Sequence, residues 1–154
     1  MLRDKLFEMR DKFPDEEIFP FNIPSIPDIR MTRRLCNRFS LREEDKHTWM
    51  EDCLGLTGDW RRRGPVYPIP LRSIQSDMFS NLYAVGRCMS ADKTVCDVTR
   101  AIQTCAVSGE AAGVCGALQV KNPSWREIQV ESVQGVLKSR GVILDQALLE
   151  EIGY

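Results

Sequence analysis

Residues 81–113, NLYAVGRCMSADKTVCDVTRAIQTCAVSGEAAG, hold the densest set of groups able to do chemistry. They read as a short apolar strand (82–88), a polar loop (86–103) and then a helix crowded with glycine and alanine (104–120). The loop carries Gly86, Arg87, Ser90, Thr99 and Arg100, and Thr104 opens the helix. The free N–H groups and positive dipole end of a helix start favour an anion or an electron-rich group. Spacing alone says no more about the ligand than that. The helix itself is unusual. Gly109, Gly113 and Gly116 each cost about 1 kcal/mol relative to alanine in a helix interior. At 100° per residue they share one arc with Cys105 and Ala112. So bare a face admits a second backbone or a flat ligand. Tight packing of helix on sheet and close approach to a ligand both account for it.

Other chemistries have thin support. The six cysteines (36, 53, 88, 96, 105, 115) contain no C-x-x-C pair, and His47 is the lone histidine, so a zinc or iron–sulfur site is not expected. His47 falls in a segment expected to be helical, where a single imidazole is ordinarily solvated or packed. Arg61–Arg63 after Trp60 is the one basic cluster, read as a solvated loop. A net charge of -1 and the lack of any reader motif argue against nucleic acid. No run reaches the ~18 apolar residues of a membrane span. The charged start MLRDKLFEMRDKF lacks a signal-peptide core, so a cytoplasmic setting with reduced thiols is the expectation.

The elements that must position these groups follow from pattern and breakers. At 154 residues, 43% of them apolar, the chain can bury one core. Residues 3–12 have helical spacing. Pro14, Pro20, Pro24 and Pro27 make 13–29 an extended connector. IRMTRRLC (29–36) reads as a strand. Ser40 with Glu43 matches a capping box and predicts a helix to about Cys53, stopped by Gly55 and Gly58. VYPIPLRSI (66–74) reads as an extended edge segment. Ser124 with Glu127 predicts a helix running to Arg140, with Gly141 as its left-handed terminator. Asp145 caps a last helix, QALLEEI. The layout is thus a helix and connector (1–28), a substrate-side layer (29–80), the strand–loop–helix (81–121) and C-terminal helices (122–154).

The run NLYAVGRCMSA followed by DVTRAIQTCAVSGEAAGVCGAL resembles the C-terminal signature of FAD-dependent oxidoreductases related to fumarate reductase and succinate dehydrogenase flavoproteins. The likeness extends upstream through IRMTRRLCNRFSLREED and GDWRRRGPVYPIPLRSI and downstream into ESVQGVLKSRGVILD, covering most of residues 25–145. It implies an α/β fold: the incomplete C-terminal portion of a two-dinucleotide-binding-type FAD fold, with a small mixed sheet, the Gly/Ala helix packed on it and C-terminal helices. At least one strand would run parallel, as in a dinucleotide-binding sheet. It also implies FAD as cofactor and hydride transfer to or from a small, anionic substrate. By position, Gly86 would let the backbone pass close to the flavin. Arg87 and Ser90 would lie near its phosphate–ribityl part. Thr104 and Cys105 would offer helix N–H groups to the flavin O2 edge, where a reduced flavin carries negative charge. Arg100, Arg33 and Arg30 would face the substrate.

The chain departs from that pattern in three places. Asn37 stands where the family usually has glycine. Asp92-Lys93 stands where a Thr-His pair is frequent, removing an imidazole that could donate a proton. None of the ten glycines forms the G-x-G-x-x-G turn that binds the FAD pyrophosphate. The resemblance is therefore to the flavin-facing half. The ADP-binding half would come from a separate N-terminal FAD-binding chain, or these residues form a non-catalytic module that associates with another chain or with itself as a homo-oligomer.

Overall fold

A computed structural model describes residues 2–19, 33–124 and 127–152. The chain divides into two units, Met1–Arg30 and Met31–Tyr154. In the first, helix α1 (Leu2–Lys12) ends in a turn whose Phe13 N–H donates to the Met9 carbonyl at 3.0 Å. Arg10 Nε then holds the Ile18 carbonyl at 2.9 Å.

The second unit is built on an antiparallel pair, β1 (Cys53–Gly58) and β2 (Val66–Pro70). Gly58 faces Val66 and Thr57 faces Tyr67; a bulge between Cys53 and Leu56 shifts the register so that Cys53 faces Pro70. Pro68 and Pro70 fit β2 because a two-stranded sheet is all edge. After β2 come α2 (Leu71–Ile74), α3 (Lys93–Thr99), α4 (Ile102–Lys121), α5 (Val130–Ser139) and α6 (Gln146–Ile152). Helix α4 lies on β1 and against α5. Leu41, Leu54, Tyr67, Ile69, Ile74, Val95, Val98, Val133 and Leu137 are fully buried between these layers. The fold is α/β, with the Gly/Ala helix packed on a small sheet. No described helix is long and apolar enough to cross a membrane.

The expected helix over 40–53 does not form. Leu41 instead pairs with Ala91 in a parallel bridge, its N–H on the Ser90 carbonyl (3.0 Å) and its carbonyl receiving Asp92 N–H (2.9 Å). Burying Leu41 completely in that bridge outweighs the local Ser40–Glu43 signal. What remains is one 3-10 turn, Glu43–Asp45, closed by Arg42 N–H on Asp45 Oδ2 at 2.7 Å. His47 follows in a left-handed conformation (φ 58°), its N–H on the Val66 carbonyl at 2.8 Å. A non-glycine residue held there ends any helix.

Other expectations shift as well. Residues 29–32 of the expected first strand lie outside the described residues, and 33–36 form no strand; the Leu35 N–H bonds the Cys88 carbonyl at 2.8 Å. The 82–88 run makes one bridge, Gln75 with Tyr83, and then a 3-10 turn, Gly86–Cys88. Part of the expected loop is helix α3. The one parallel pairing among the described residues is the Leu41–Ala91 bridge. Helix α5 starts at Val130 rather than beside Ser124, because Ile128 turns into the core ahead of it. Its end is as expected: Gly141 has φ 87°, Val142 N–H reaches the Leu137 carbonyl and Gly141 N–H the Lys138 carbonyl, both at 3.0 Å. Asp145 Oδ1 accepts from Ala147 N–H at 2.9 Å and so opens α6.

The basic cluster is structural in its first two members. Asp59 has a buried carboxylate gripped by Arg61 Nε (2.8 Å) and Nη2 (2.9 Å), with Arg62 Nε at 3.4 Å. Arg62 also holds Glu43 at 3.0 Å. The Arg61 hydrogen bonds above all keep the Asp59 carboxyl below its ordinary range. A group depressed in the folded state stabilises fully above the unfolded pKa, about 4, and loses that contribution as pH falls through the folded value. Urea midpoints of the wild type should therefore drop more steeply below about pH 4 than those of Asp59→Asn. Parallel acid limbs for the two proteins would show that Asp59 carries no such linkage.

Candidate functional site

Helices α3 and α4 meet at a corner of two residues, Arg100 and Ala101. Asp92 starts α3, its Oδ1 accepting from Val95 N–H at 2.8 Å. The departure Asp92-Lys93 thus serves as a helix cap. Arg100 closes α3, its N–H on the Cys96 carbonyl at 3.1 Å, and its Nε pairs with Asp97 at 2.8 Å. Ala101, at φ -67° and ψ 150°, is the residue before α4 and has no side chain to cap it. The first internal bond of α4 is Cys105 N–H to the Ala101 carbonyl, 2.9 Å. The N–H groups of Ile102, Gln103 and Thr104 have no acceptor among the described residues. Ile102 and Gln103 are exposed, so their two donors open outward, whereas Thr104 is buried.

The segment before α3 is fastened over this first turn. Gly86 is in the left-handed region (φ 57°), and its N–H donates to Ser108 Oγ at 3.1 Å. A Cβ on Gly86 would stand 2.7 Å from Cys105 Sγ. The glycine is therefore required both by backbone conformation and by the thiol that fills the space beside it. Ser108 passes its own proton to the Thr104 carbonyl at 2.7 Å. Thr104 is wholly buried. Its hydroxyl donates to the Val98 carbonyl (3.0 Å) and so accepts from Thr57 Oγ1 (2.6 Å), fixing the start of α4 to β1.

The residues singled out by sequence thus occupy different situations. Gly86, Thr104 and Cys105 come together at the α4 start, Cys105 half-buried with its N–H used inside the helix. Ser90 is buried away from solvent, its hydroxyl on the Phe39 carbonyl at 2.7 Å. Arg87 is exposed beside Gly86, and Arg33 is exposed; neither has an ion pair or hydrogen bond among the described residues. Arg100 is largely covered and committed to Asp97. Arg30 lies outside the described residues. Sequence reasoning missed Ile102 and Gln103, which own the outward donors, and Ala101, which leaves them uncapped while its own N–H bonds the Val98 carbonyl. The available signal was an alanine at the capping position, where Ser, Thr, Asp or Asn is usual.

Asn37, in place of the family's glycine, also has a physical task. Its Nδ2 donates to the Arg72 (2.9 Å) and Gln75 (2.6 Å) carbonyls, and its Oδ1 accepts from Asp77 N–H at 3.3 Å. The thiols of Cys53 and Cys115 are pushed up, to about 11 and about 12, chiefly by burial, and stay protonated.

The glycine-bearing face of α4 is the surprise. A Cβ on Gly109, Gly113 or Gly116 would meet nothing within 4 Å. The side of α4 that meets the core is Thr104, Ser108, Ala111 and Cys115. The glycine that admits close helix–sheet packing is Gly55 in β1, where a Cβ would overlap Val107 Cγ1. Gly55 is no helix stop.

An uncapped helix start facing outward, with a left-handed glycine seated over its first turn, suits the electron-rich edge of a flavin ring. The donors present fit that group. Neither a curated protein nor a solved structure matches the chain. The FAD dependent oxidoreductase family matches it over residues 7–137, which is most of its length. The chain belongs to the FAD-dependent oxidoreductase family.

Proposed function

We propose that these residues form the flavin-facing part of an FAD-dependent oxidoreductase of the fumarate reductase and succinate dehydrogenase type, completed by an ADP-binding half supplied from outside them. The observation that carries this reading is the α4 start, where the exposed N–H groups of Ile102 and Gln103 have no acceptor among the described residues and Ala101 cannot cap them. The N–H groups of Ile102 and Gln103 would hold the O2 edge of the ring. Arg87, exposed beside Gly86, would meet the phosphate–ribityl part. Bound FAD would supply the hydride acceptor or donor. Arg33 would hold an anionic substrate through charge-assisted hydrogen bonds. Arg100, tied to Asp97, serves to position the α3–α4 corner rather than to touch substrate.

The test is flavin capture. The purified chain is titrated with FAD, alone and mixed with an ADP-binding flavoprotein half, while flavin absorbance and fluorescence are followed. Weak binding alone and strong binding with the half are expected; free flavin in both samples would end the proposal. The uncovered face of α4 favours a second reading, a non-catalytic module that associates with another chain.

A further inference from the structure

The turn between β1 and β2 is fastened to α3, next to the α3–α4 corner. It is built around one buried carboxylate. Asp59 accepts from the Arg61 backbone N–H at 3.1 Å as well as from the Arg61 guanidinium. The Asp59 N–H donates to the Pro65 carbonyl at 2.9 Å, and the Arg62 N–H to the Asp59 carbonyl at 3.2 Å. From this base Trp60 Nε1 donates to the Asp97 carbonyl at 2.9 Å, a bond that spans 37 positions of the chain. Arg61 Nη1 lies 3.8 Å from Asp97 Oδ2 and donates to the Thr94 carbonyl at 3.5 Å.

The Asp97 carbonyl has a particular place. A helix leaves its last carbonyls without intrahelical donors, and in α3 each finds another. Cys96 receives the Arg100 N–H at 3.1 Å. Val98 receives the Ala101 N–H at 3.1 Å and the Thr104 hydroxyl at 3.0 Å. Thr99 receives the Cys105 thiol at 3.8 Å. These donors all belong to the corner or to α4. No backbone N–H of the described residues reaches the Asp97 carbonyl, and the Trp60 indole takes it instead. Trp60 is still 57% exposed, so its N–H, more than burial of the ring, fixes where it sits. The side chain of Asp97 holds Arg100 at 2.8 Å. The hairpin tip therefore grips Asp97, and Asp97 grips the corner. Only Ala101 separates Arg100 from the first outward donor, Ile102.

We infer that Trp60 is a positioning residue of the flavin site. It fixes the last turn of α3 and so the direction in which the Ile102 and Gln103 N–H groups point. This role rests on the flavin reading above and adds to it the element that aims the donors.

Trp60→Phe keeps an aromatic ring and removes the N–H. In the flavin-free chain the amides of Arg100, Ala101 and Cys105 should exchange about tenfold faster, while those of β1 stay as they are. With FAD and an ADP-binding half, the two-electron midpoint potential should fall, because donors at the O2 edge favour the reduced, negatively charged ring. A tenfold loss of that preference corresponds to about 30 mV. Arg63→Gln, exposed in the same tip, should change neither reading. Unchanged exchange in Trp60→Phe overturns the inference without reference to flavin. Faster exchange with an unchanged potential also overturns it, and leaves Trp60 as a helix cap alone. A wild type that takes up no FAD with the half present ends the flavin reading and this role with it. A wild type that binds FAD beside a Trp60→Phe protein of equal affinity and potential overturns this role alone.

Discussion

Gly86→Ala is expected to lower folding stability by about 2–4 kcal/mol, read as a shift of the urea midpoint at unchanged slope. Two separate effects add. A side chain at φ 57° is strained whatever surrounds it. The new Cβ also stands 2.7 Å from Cys105 Sγ and 3.4 Å from its Cβ. Against a total of about 5–15 kcal/mol for a domain, the loss is large. The two causes separate in a double-mutant cycle. Cys105→Ala removes the sulfur, so Gly86→Ala should cost less in that background, leaving mainly the backbone strain. An equal cost in both backgrounds would mean that the turn does not rest on the thiol. The turn over α4 also sets the proposed flavin contact, so flavin affinity should fall with the same substitution and recover in part with the pair.

Ala101→Asp should move stability and flavin binding in opposite directions. The backbone of Ala101 is already extended, as a capping residue requires. A carboxylate there accepts from the free N–H groups and meets the positive helix end, raising stability by about 1 kcal/mol. The same carboxylate takes the donors intended for the flavin edge and repels its negative charge. Flavin affinity should drop by about 10–100-fold, measured by FAD titration in the presence of an ADP-binding half. Ala101→Ser, a neutral cap, should stabilise with a smaller loss of affinity. A stabilised Ala101→Asp protein that binds FAD as the wild type does would remove the α4 start from the flavin site. Few substitutions so cleanly divide a structural role from a ligand role, because destabilisation cannot explain the loss.

The parts of the fold legible in sequence are those decided locally. Helix α4 lacks proline and strand-forming runs, and it forms at nearly its expected length. Gly141 and Asp145 end and begin helices through their own backbone preferences. The parts not legible are decided by distant partners. Ser40 and Glu43 signal a helix start, but Leu41 is drawn into a bridge with Ala91, fifty residues on. Gly55 looks like a terminator and is instead the point at which α4 presses on β1 through Val107. Within the candidate site, the helix start and Gly86 could be found from residue types. The assignment of individual side chains could not: whether Ser90 or Thr104 faces outward depends on Phe39 and Thr57 as partners. The flavin itself came from family likeness, since spacing near α4 speaks only of an electron-rich group.

Helix α2 is four residues long, far below the length at which a helix persists unaided. The Asn37 amide, more than thirty positions earlier in the chain, holds the Arg72 carbonyl within it and the Gln75 carbonyl just after it. Neither the helix nor the Asn37 clasp has reason to form before the other, so both await closure of the intervening loop. This part of the molecule should therefore open and close as one unit, and the backbone amides of 71–77 should exchange with solvent together rather than one by one.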